Sequence, residues 1–477
     1  MSQLMLENFL ALGHQAMAAN QAQASVDYFC KAVELDGANA QAYLSLGAAM
    51  FKLNQYRACL ECTDKVLALN PTCPEAYNTQ GLALKALGKN QDAIASLNKA
   101  IALQAYFPEA YLNLAAAYRG ERRLPEALRA IQKAIDQKPG YAQAHSNQGN
   151  IYQDLHQLDA AIASFDNAIS LEPDLAEAYF NKSIALLLQG DYKAGWPLYE
   201  WRWVNDNKAA LNRHPQLEVW SGKQSLQGKR ILIQSEQGFG DTIQFCRFIR
   251  RVSELGAYVV FEVDLVLASL MRSVRGVDEI LIKGQPVPPA DYKVQLMSLP
   301  GLFGLGLKDV GVDGAYIHVS PEKSKKWAAE MTNQRQSVGI VWRGSPNHQN
   351  DKNRSIPLEN FLAKLPKDKR YLSLQLKTSA QEKEILKRFG ILELAHEISD
   401  FEDTAAICQN IAGVVCVDTS VAHLCGALDV SCEVVLDVNP DWRWMLEKND
   451  SHWYNNMQLL RLANSTKEIN NFLKDLT

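Results

Sequence analysis

A period of 34 residues runs through the first part of the chain and limits its fold more than any other feature of the sequence. A unit of this length holds two short helices and a turn, and it leaves an apolar face that one unit cannot bury alone. Stacked copies bury that face together, so the period predicts an α-solenoid with a concave groove. The period is visible in two phases, with small residues at Gly13, Gly47, Gly81, Ala115, Gly149 and Ser183 and ring-bearing residues at Tyr43, Tyr77, Tyr111, His145 and Tyr179.

Proline residues mark the ends of several units, since Pro71, Pro139 and Pro173 fall at the same place in the repeat. Proline stops the second helix of a unit, and the small residues let the two helices approach closely. The pattern resembles the tetratricopeptide repeat (TPR) over about residues 6 to 205. We therefore expect a TPR solenoid of roughly five to six repeats in residues 1–205, and a polar connection in residues 206–229.

Asn113, Asn147 and Asn181 occupy one phase of three successive units, on the helix that lines the concave side of such a solenoid. An amide offers donors and an acceptor, so a row of them can hold the backbone of an extended peptide whatever its sequence. The arrangement resembles the asparagine ladder of the O-GlcNAc transferase TPR region. The alternative is that asparagine is a common solvated residue at this position of the repeat. Ser45 and Thr79 precede the three, so a ladder here is short.

The second part of the chain alternates short apolar runs with helical patterns. Residues 230–235 read as a buried strand, and the glycine loop of residues 236–241 and an amphipathic helix follow it. A second series begins at Ser337 and ends with a strand, a helix and a strand over residues 413–436. Two such series predict two Rossmann-like α/β lobes that face a cleft at the carboxyl ends of their strands. We place the lobes at residues 230–325 and 326–477.

The glycine loop contains Gly238 and Gly240 but lacks the third glycine of a dinucleotide fingerprint, which disfavours NAD. Its Asp241 lies at the mouth of the first lobe and is a candidate general base for an acceptor hydroxyl. In the alternative interpretation, Asp241 is a helix N-cap and nothing more.

The strand-to-helix junction from Asp418 to His423 is the best candidate anion site. Thr419 and Ser420 can cap the helix, and the free N–H groups and positive dipole end of the helix favour phosphate. An ordinary capped helix with a buried histidine is the alternative.

A polar loop at residues 347–355 holds Lys352 and Arg354, and Arg343 lies just before it. These cations suit a phosphate, although a solvated loop has a similar composition. The sequence has no Asp-x-Asp metal pair, so we expect the leaving-group charge to be met by arginine, lysine and the helix end. The expected chemistry is metal-independent and needs no cofactor.

Several segments together resemble TPR-fused glycosyltransferases whose catalytic half is similar to the heptosyltransferase group of the GT-B fold. The resemblance covers nearly the whole chain and implies that Asp241 is the base, while a nucleotide-sugar donor lies on the second lobe. The segments that carry it are residues 236–241, 347–355, 373–375, 400–405, 418–423, 441–444 and 450–454. The expected donor-binding residues are then Lys352, Arg354, Gln375, Asp418, Thr419, Ser420, His423 and Arg443, and Gln237, Gly238 and Gly240 are expected to shape the loop.

Some members of this group are flagellin glycosyltransferases, which transfer nonulosonic acids such as pseudaminic acid from a CMP donor to serine or threonine. The resemblance therefore implies an inverting transferase with a protein acceptor held by the TPR region, flagellin above all. His452 stands where the family usually has proline, and residues 436–439 replace a more apolar loop, which leaves the sugar open. Two alternatives remain: a non-catalytic scaffold that senses a nucleotide sugar, and a transferase for a saccharide acceptor.

Composition excludes several other classes of protein. The net charge of -4 and pI near 6.2 argue against nucleic acid as a partner. The N-terminal segment does not resemble a signal peptide, and no apolar run approaches the roughly 18 residues of a membrane span. Nine scattered cysteines indicate reduced thiols in a cytoplasmic protein, and the pair Cys59 and Cys62 reads as buried small side chains.

Overall fold

The computed structural model describes residues 2–205, 213–311, 314–346 and 350–461. The chain divides into two compact units, Met1–Lys182 and Ser183–Thr477. The first is built from helices alone, and the second contains two parallel β-sheets with helices between the strands. The predicted loop residues Asn347, His348 and Gln349 lie outside the described residues.

Antiparallel helix pairs follow each other through the first unit, as the 34-residue period predicts. Each pair consists of two helices of about four turns joined by a short turn. The helices are α1 (Ser2–Ala18), α2 (Ala22–Leu35), α3 (Ala40–Lys52), α4 (Tyr56–Leu69), α5 (Pro74–Ala86), α6 (Asn90–Leu103), α7 (Pro108–Gly120), α8 (Leu124–Gln137), α9 (Ala142–Asp154), α10 (Leu158–Leu171) and α11 (Ala176–Gln189).

Packing inside the pairs explains why one phase of the repeat is restricted to small residues. A Cβ atom added to Gly13 would lie 2.4 Å from the ring of Phe29, and one added to Gly149 would lie 2.6 Å from the ring of Phe165. Both rings are completely buried. The partner helix therefore fills the space that a larger side chain needs, which is how interiors reach close packing.

The second unit begins within α11 and continues with two short helices that the sequence assigned to the solenoid, α12 (Tyr192–Tyr199) and α13 (Arg202–Asn205). The side chain of Trp196 donates from Nε1 to the carbonyl oxygen of Leu305 at 3.0 Å, and its ring contacts that of Trp442 at 5.5 Å. Aromatic packing thus holds α12 to the α/β region. The compact units therefore divide at residue 182, whereas the repeat pattern placed the end of the solenoid at residue 205.

The first lobe is a five-stranded parallel sheet in the order β1-β5-β2-β3-β4. Strand β1 lies in the segment that the sequence assigned to a connection, and it pairs with β5. The strands are β1 (Glu218–Val219), β2 (Arg230–Gln234), β3 (Tyr258–Val263), β4 (Glu279–Ile282) and β5 (Tyr292–Gln295), and the helices are α14 (Phe239–Phe245), α15 (Ile249–Ser253), α16 (Ala268–Met271) and α17 (Leu299–Leu302).

The second lobe is a six-stranded parallel sheet in the order β11-β10-β9-β6-β7-β8. Its central strands are buried along their whole length, as expected of a parallel sheet covered on both faces. The strands are β6 (Val338–Val341), β7 (Tyr371–Ser373), β8 (Leu392–Glu393), β9 (Gly413–Val417), β10 (Cys432–Leu436) and β11 (Met457–Arg461), and the helices are α18 (Pro321–Glu330), α19 (Asp351–Arg354), α20 (Leu358–Leu362), α21 (Ala380–Arg388), α22 (Phe401–Cys408) and α23 (Ser420–Leu428).

Two parallel sheets agree with the prediction of two α/β lobes, and strands β2, β6, β9 and β10 lie where the sequence indicates them. Strands β1, β8 and β11 were not predicted. Strand β8 has only two residues, too few to show a pattern.

Candidate functional site

A cleft with a cavity volume of about 830 Å³ lies between the two lobes of the second unit. Loop residues that follow β2 line one wall, and the carboxyl ends of strands in the second sheet line the other. Of the predicted site residues in the described α/β region, Lys352 alone does not line it. The others are Gln237, Gly238, Gly240 and Asp241 from the first lobe and Arg354, Gln375, Asp418, Thr419, Ser420, His423 and Arg443 from the second.

The glycine loop is anchored at its start by a buried ion pair. Arg202 donates from Nε and Nη2 to the two carboxylate oxygens of Glu236, both at 2.9 Å. The next residue, Gln237, has a φ of +57°, an unusual conformation for a residue with a side chain, and its amide nitrogen donates to Tyr199 Oη at 3.0 Å. Glu236 therefore serves the fold of the loop, and Gln237 turns the chain into the cleft.

Asp241 is both a helix cap and a cleft residue. Its Oδ2 accepts from the backbone N–H of Gly238 at 2.8 Å, which caps the start of α14. Its Oδ1 accepts from Nη2 of Arg443 on the opposite wall. The N-cap interpretation was wrong in position, because Gly238 is the N-cap of α14 and Asp241 is its third residue, which binds back to the N-cap N–H. The carboxylate also lies inside the cleft.

Arg443 has more partners in the protein than a dedicated donor-binding residue needs. Besides Asp241, its Nη1 donates to Oδ1 of Asp441 at 2.8 Å, and its Nε donates to Oε1 of Gln244 at 2.5 Å. The sequence singled out Arg443 but gave no role to Asp441 or Gln244. Asp441, two residues before Arg443, could have been noticed as a local partner, whereas Gln244 lies 199 residues away and gives no signal.

The start of α23 has the geometry expected of an anion site. Thr419 caps the helix, because its Oγ1 accepts from the N–H of Val421 at 3.1 Å. The N–H of Ala422 donates to the carbonyl oxygen of Thr419 at 3.1 Å. The N–H of Ser420 is the first of the helix and has no partner one turn earlier in it, and the helix dipole favours an anion at this end. Ser420 and Val421 line the same cavity.

His423 is buried one turn into α23 and is held by aromatic neighbours. Its ring stacks on Trp444 with the centroids 5.3 Å apart, and its Nδ1 is 3.0 Å from Tyr454 Oη. Burial lowers the pKa of His423 well below its usual value, and the charges of Arg443, Arg247 and Arg354 lower it further. His423 is therefore neutral at pH 7 and can offer a hydrogen bond, but no charge, to a ligand.

Asp418 is the most perturbed carboxyl group of the cleft. Burial and then the nearby charge of Asp441 raise its pKa to about 6. Its backbone oxygen accepts from Nη1 of Arg354 at 3.1 Å. Carboxyl groups with a shifted pKa cluster at functional sites, so Asp418 is a candidate site residue.

Of the two predicted phosphate-binding cations that line the cleft, Arg354 is held less closely by a carboxylate than Arg343 is. Its guanidinium lies flat on Gly344, where a Cβ would stand 2.5 Å from Nη2, and Oδ1 of Asp351 is 3.5 Å from Nε. Arg343 also lines the cleft, but Glu382 holds its Nη2 at 3.0 Å. Lys352 is exposed on α19.

Two aromatic residues that the sequence did not select lie at the cleft. Phe239 belongs to the first lobe and Phe401 to the second, and their rings meet edge to face with centroids 5.4 Å apart. Phe239 remains 39% exposed, so the contact leaves an apolar surface beside Asp241. Such a surface suits a sugar face or a nucleobase.

No group of three or more His, Cys, Asp and Glu side chains that could hold a metal ion occurs within the described ranges. Burial raises the pKa of Cys59 to about 12 and that of Cys62 to about 11, so both thiols stay protonated. Metal-independent chemistry stays a prediction. Among the helices of the described residues, none is long and apolar enough to cross a membrane.

The asparagines of the first unit differ in how free their amides are. Asn113 on α7 is buried and donates from Nδ2 to Oδ1 of Asn78 at 2.9 Å. Asn147 on α9 and Asn181 on α11 are partly exposed. The amide of Asn113 thus has a partner inside the solenoid, and the candidate ladder is reduced to the last two positions.

Comparison with known proteins supports the repeat assignment. Residues 142–175 match the family described as Tetratricopeptide repeat, and residues 81–120 match the one described as TPR repeat. The chain therefore carries TPR repeats. Protein FlbA of Caulobacter vibrioides is 24% identical over 282 residues, which are 52% of this chain and 46% of FlbA. The chain thus spans about half the length of this relative.

Solved structures of TPR proteins are similar to part of this chain. A thermophilic TPR protein of Thermus thermophilus has a TM-score of 0.36 and 21% identity, covering 38% of this chain and 99% of its own. MamA has a TM-score of 0.31 and 25% identity, covering 36% and 94%. YrrB, a TPR protein with an unusual peptide-binding site, has a TM-score of 0.30 and 25% identity, covering 36% and 90%.

Proposed function

We propose that this protein is a cytoplasmic, inverting and metal-independent glycosyltransferase that moves a sugar from a nucleotide-sugar donor to serine or threonine of a protein. One observation carries the proposal: a single cleft holds a carboxylate on one lobe and, on the other, a helix start, a largely available arginine and a perturbed carboxyl group. A base and a phosphate site on opposite walls are what single displacement requires.

In this mechanism Asp241 accepts the proton of the acceptor hydroxyl. The hydroxyl oxygen forms a bond to the anomeric carbon of the donor sugar while the bond from that carbon to the phosphate oxygen breaks. The nucleotide leaves with both electrons of that bond, and the proton stays on the carboxylate until water takes it. Attack from the face opposite the leaving group inverts the anomeric centre.

The leaving phosphate is assigned to the start of α23 and to Arg354. The N–H of Ser420 and the helix dipole stabilise the charge that develops on the phosphate oxygens. Arg354 adds a full positive charge that Asp351, 3.5 Å from its Nε, balances only in part. Neutral His423 and the carboxyl of Asp418 are suited to hydroxyl groups of the sugar.

In this proposal the TPR repeats bind the protein acceptor, because stacked repeats form an extended groove that suits a peptide. Flagellin as the acceptor, and a CMP-linked nonulosonic acid such as pseudaminic acid as the donor, follow from the resemblance of the sequence.

The test is the intact mass of flagellin co-expressed with the wild-type chain, with Asp241→Asn, and without either. We expect an added mass on flagellin with the wild type, which names the sugar, and none with the variant. Nucleotide binding by Asp241→Asn should equal that of the wild type. Unmodified flagellin in the presence of folded, nucleotide-binding wild-type protein would contradict the flagellin acceptor, and unchanged transfer by the variant would contradict the base.

A further inference from the structure

We infer that Arg443 is a positioning residue that orients Asp241 from across the cleft and joins the two lobes there, and that it is not the cation that binds the donor phosphate. The inference rests on the proposed function, in which Asp241 is the base. It concerns four residues, Asp241 and Gln244 of the first lobe with Asp441 and Arg443 of the second, which we call the interlobe clasp.

The hydrogen bonds of the Arg443 guanidinium fix its position within the clasp. Each nitrogen of the Arg443 guanidinium donates within the clasp: Nε to Gln244, Nη1 to Asp441 and Nη2 to Asp241. A guanidinium is a rigid planar fork, so three contacts on three nitrogens fix both its position and its plane. Arg443 could not turn toward a ligand without breaking at least one of them.

The positive charge of Arg443 is offset by its neighbours in the clasp. Arg443 is 6% exposed, and it lies between two carboxylates. Burial alone would lower the pKa of Arg443, but Asp441 and Asp241 outweigh burial and raise it. The cation is therefore permanent, and two nearby negative charges offset it, so it adds little net attraction for a phosphate.

The carboxylate of Asp241 is held in one orientation by its two hydrogen bonds. Gly238 N–H binds one carboxylate oxygen and Arg443 binds the other. Two anchors on two oxygens fix the plane of the carboxylate, while each oxygen keeps a lone pair for a proton. A base held in this way is preorganised, and small errors in the placement of a reacting group cost about 100-fold in rate.

A second buried arginine provides a matched control. Arg247 follows α14, and it also joins the lobes, because its Nη1 donates to the backbone oxygens of Val310 and Trp453 at 3.0 and 2.9 Å. It does not line the cleft. Its hydrogen bond to the clasp runs from Nε to the backbone oxygen of Gln244 at 2.7 Å and involves no side chain that binds Arg443 or Asp241. Loss of Arg247 should therefore weaken the junction between the lobes without moving the base.

The experiment uses the full chain and the variants Arg443→Met, Arg443→Lys and Arg247→Lys. Three readouts are taken: the thermal unfolding temperature, binding of CMP, UDP, GDP and ADP by calorimetry, and the rate of mass addition to flagellin. We expect Arg443→Met to reduce transfer about 100-fold. The affinity for whichever nucleotide the wild type binds should change less than about twofold.

Arg443→Lys keeps a charge but loses the fork, so it should recover only part of the transfer rate. Arg247→Lys should lower the unfolding temperature and leave both nucleotide affinity and transfer per folded molecule unchanged. A tenfold or greater loss of nucleotide affinity in Arg443→Met would overturn the inference in favour of donor binding. A loss of transfer in Arg247→Lys equal to that in Arg443→Lys would reduce Arg443 to a general structural role.

A double-mutant cycle keeps the inference separate from the proposed function. The unfolding temperatures of wild type, Asp241→Asn, Arg443→Met and the double variant are compared, which needs no transfer activity. We expect the double variant to be clearly less destabilised than the sum of the single variants, because the pair is already broken in each. If the decreases in unfolding temperature of the single variants added up in the double variant, the inferred interaction between Asp241 and Arg443 would be wrong. Failure of the wild type to modify flagellin would overturn the proposed function alone.

Discussion

Gly240 of the first lobe rests directly on His423 of the second, and a Cβ atom at position 240 would stand 2.7 Å from Cδ2 of the imidazole. The sequence predicted only that this glycine shapes the loop. The structure uses it to let α14 approach α23. The imidazole cannot yield easily, because Trp444 stacks on it and Tyr454 binds its Nδ1.

We therefore predict that Gly240→Ala destabilises the protein by about 1–3 kcal/mol, the usual cost of overpacking. Nucleotide binding should weaken as well, since the displaced His423 lies in the cavity. Urea unfolding and calorimetry measure the two effects. Gly140→Ala is the control, because no atom lies within 4 Å of a Cβ there. Equal stability of the two variants would contradict close contact at Gly240.

Asp418 predicts a specific dependence of stability on pH. The pKa of Asp418 is raised to about 6, chiefly by burial and next by Asp441. A raised pKa in the folded state means that folding favours the protonated form, so this group's contribution to stability is present at low pH and lost as the pH rises through 6. Asp418→Asn carries no such charge. Between pH 4 and 7 its free energy of unfolding should therefore rise by about 2 kcal/mol relative to that of the wild type. The measurement is urea unfolding of both proteins between pH 4 and 7, and a difference that does not change with pH would exclude this interpretation.

Arg354 and Lys352 lie on one short helix and provide a matched pair for the donor site. Arg354 lines the cleft, whereas Lys352 is exposed outside it. We predict that Arg354→Ala weakens nucleotide binding about 10- to 100-fold, the cost of one charge-assisted hydrogen bond. Lys352→Ala should bind as the wild type does. Calorimetry with CMP, UDP, GDP and ADP measures the affinities of both variants. Equal losses of affinity would indicate general charge attraction.

The buried ion pair between Arg202 and Glu236 should govern stability. Both side chains are almost fully buried, so removing one partner leaves an uncompensated charge. We predict that Arg202→Met costs about 3–5 kcal/mol and that the further change Glu236→Gln recovers part of it. The exposed pair of Arg388 and Glu359 is the control, where Arg388→Met should cost less than about 1 kcal/mol. Urea unfolding measures all three, and similar costs at the two arginines would contradict the role of burial.

Local patterns account for the parts of the structure that were predicted correctly. The helix pairs follow from the 34-residue period, because a helix places residues of one phase on one face. Strands β9 and β10 lie where their continuous apolar runs indicate them, as buried parallel strands require. The start of α23 could be read from Thr419 and Ser420, since capping depends on residues a few positions apart.

The tertiary structure decided what depends on residues far apart in the chain. The sequence by itself determined that Asp241 follows a strand and a glycine loop and that Arg443 lies near the end of the second lobe. It held no signal that the two residues bind each other, because a contact across 202 residues leaves no local pattern. Packing likewise decided the boundary of the solenoid, since helix α12 continues the repeat but buries Trp196 against Trp442. Periodicity is a property of neighbours along the chain, whereas a cleft and its charges arise only when two lobes bring distant residues together.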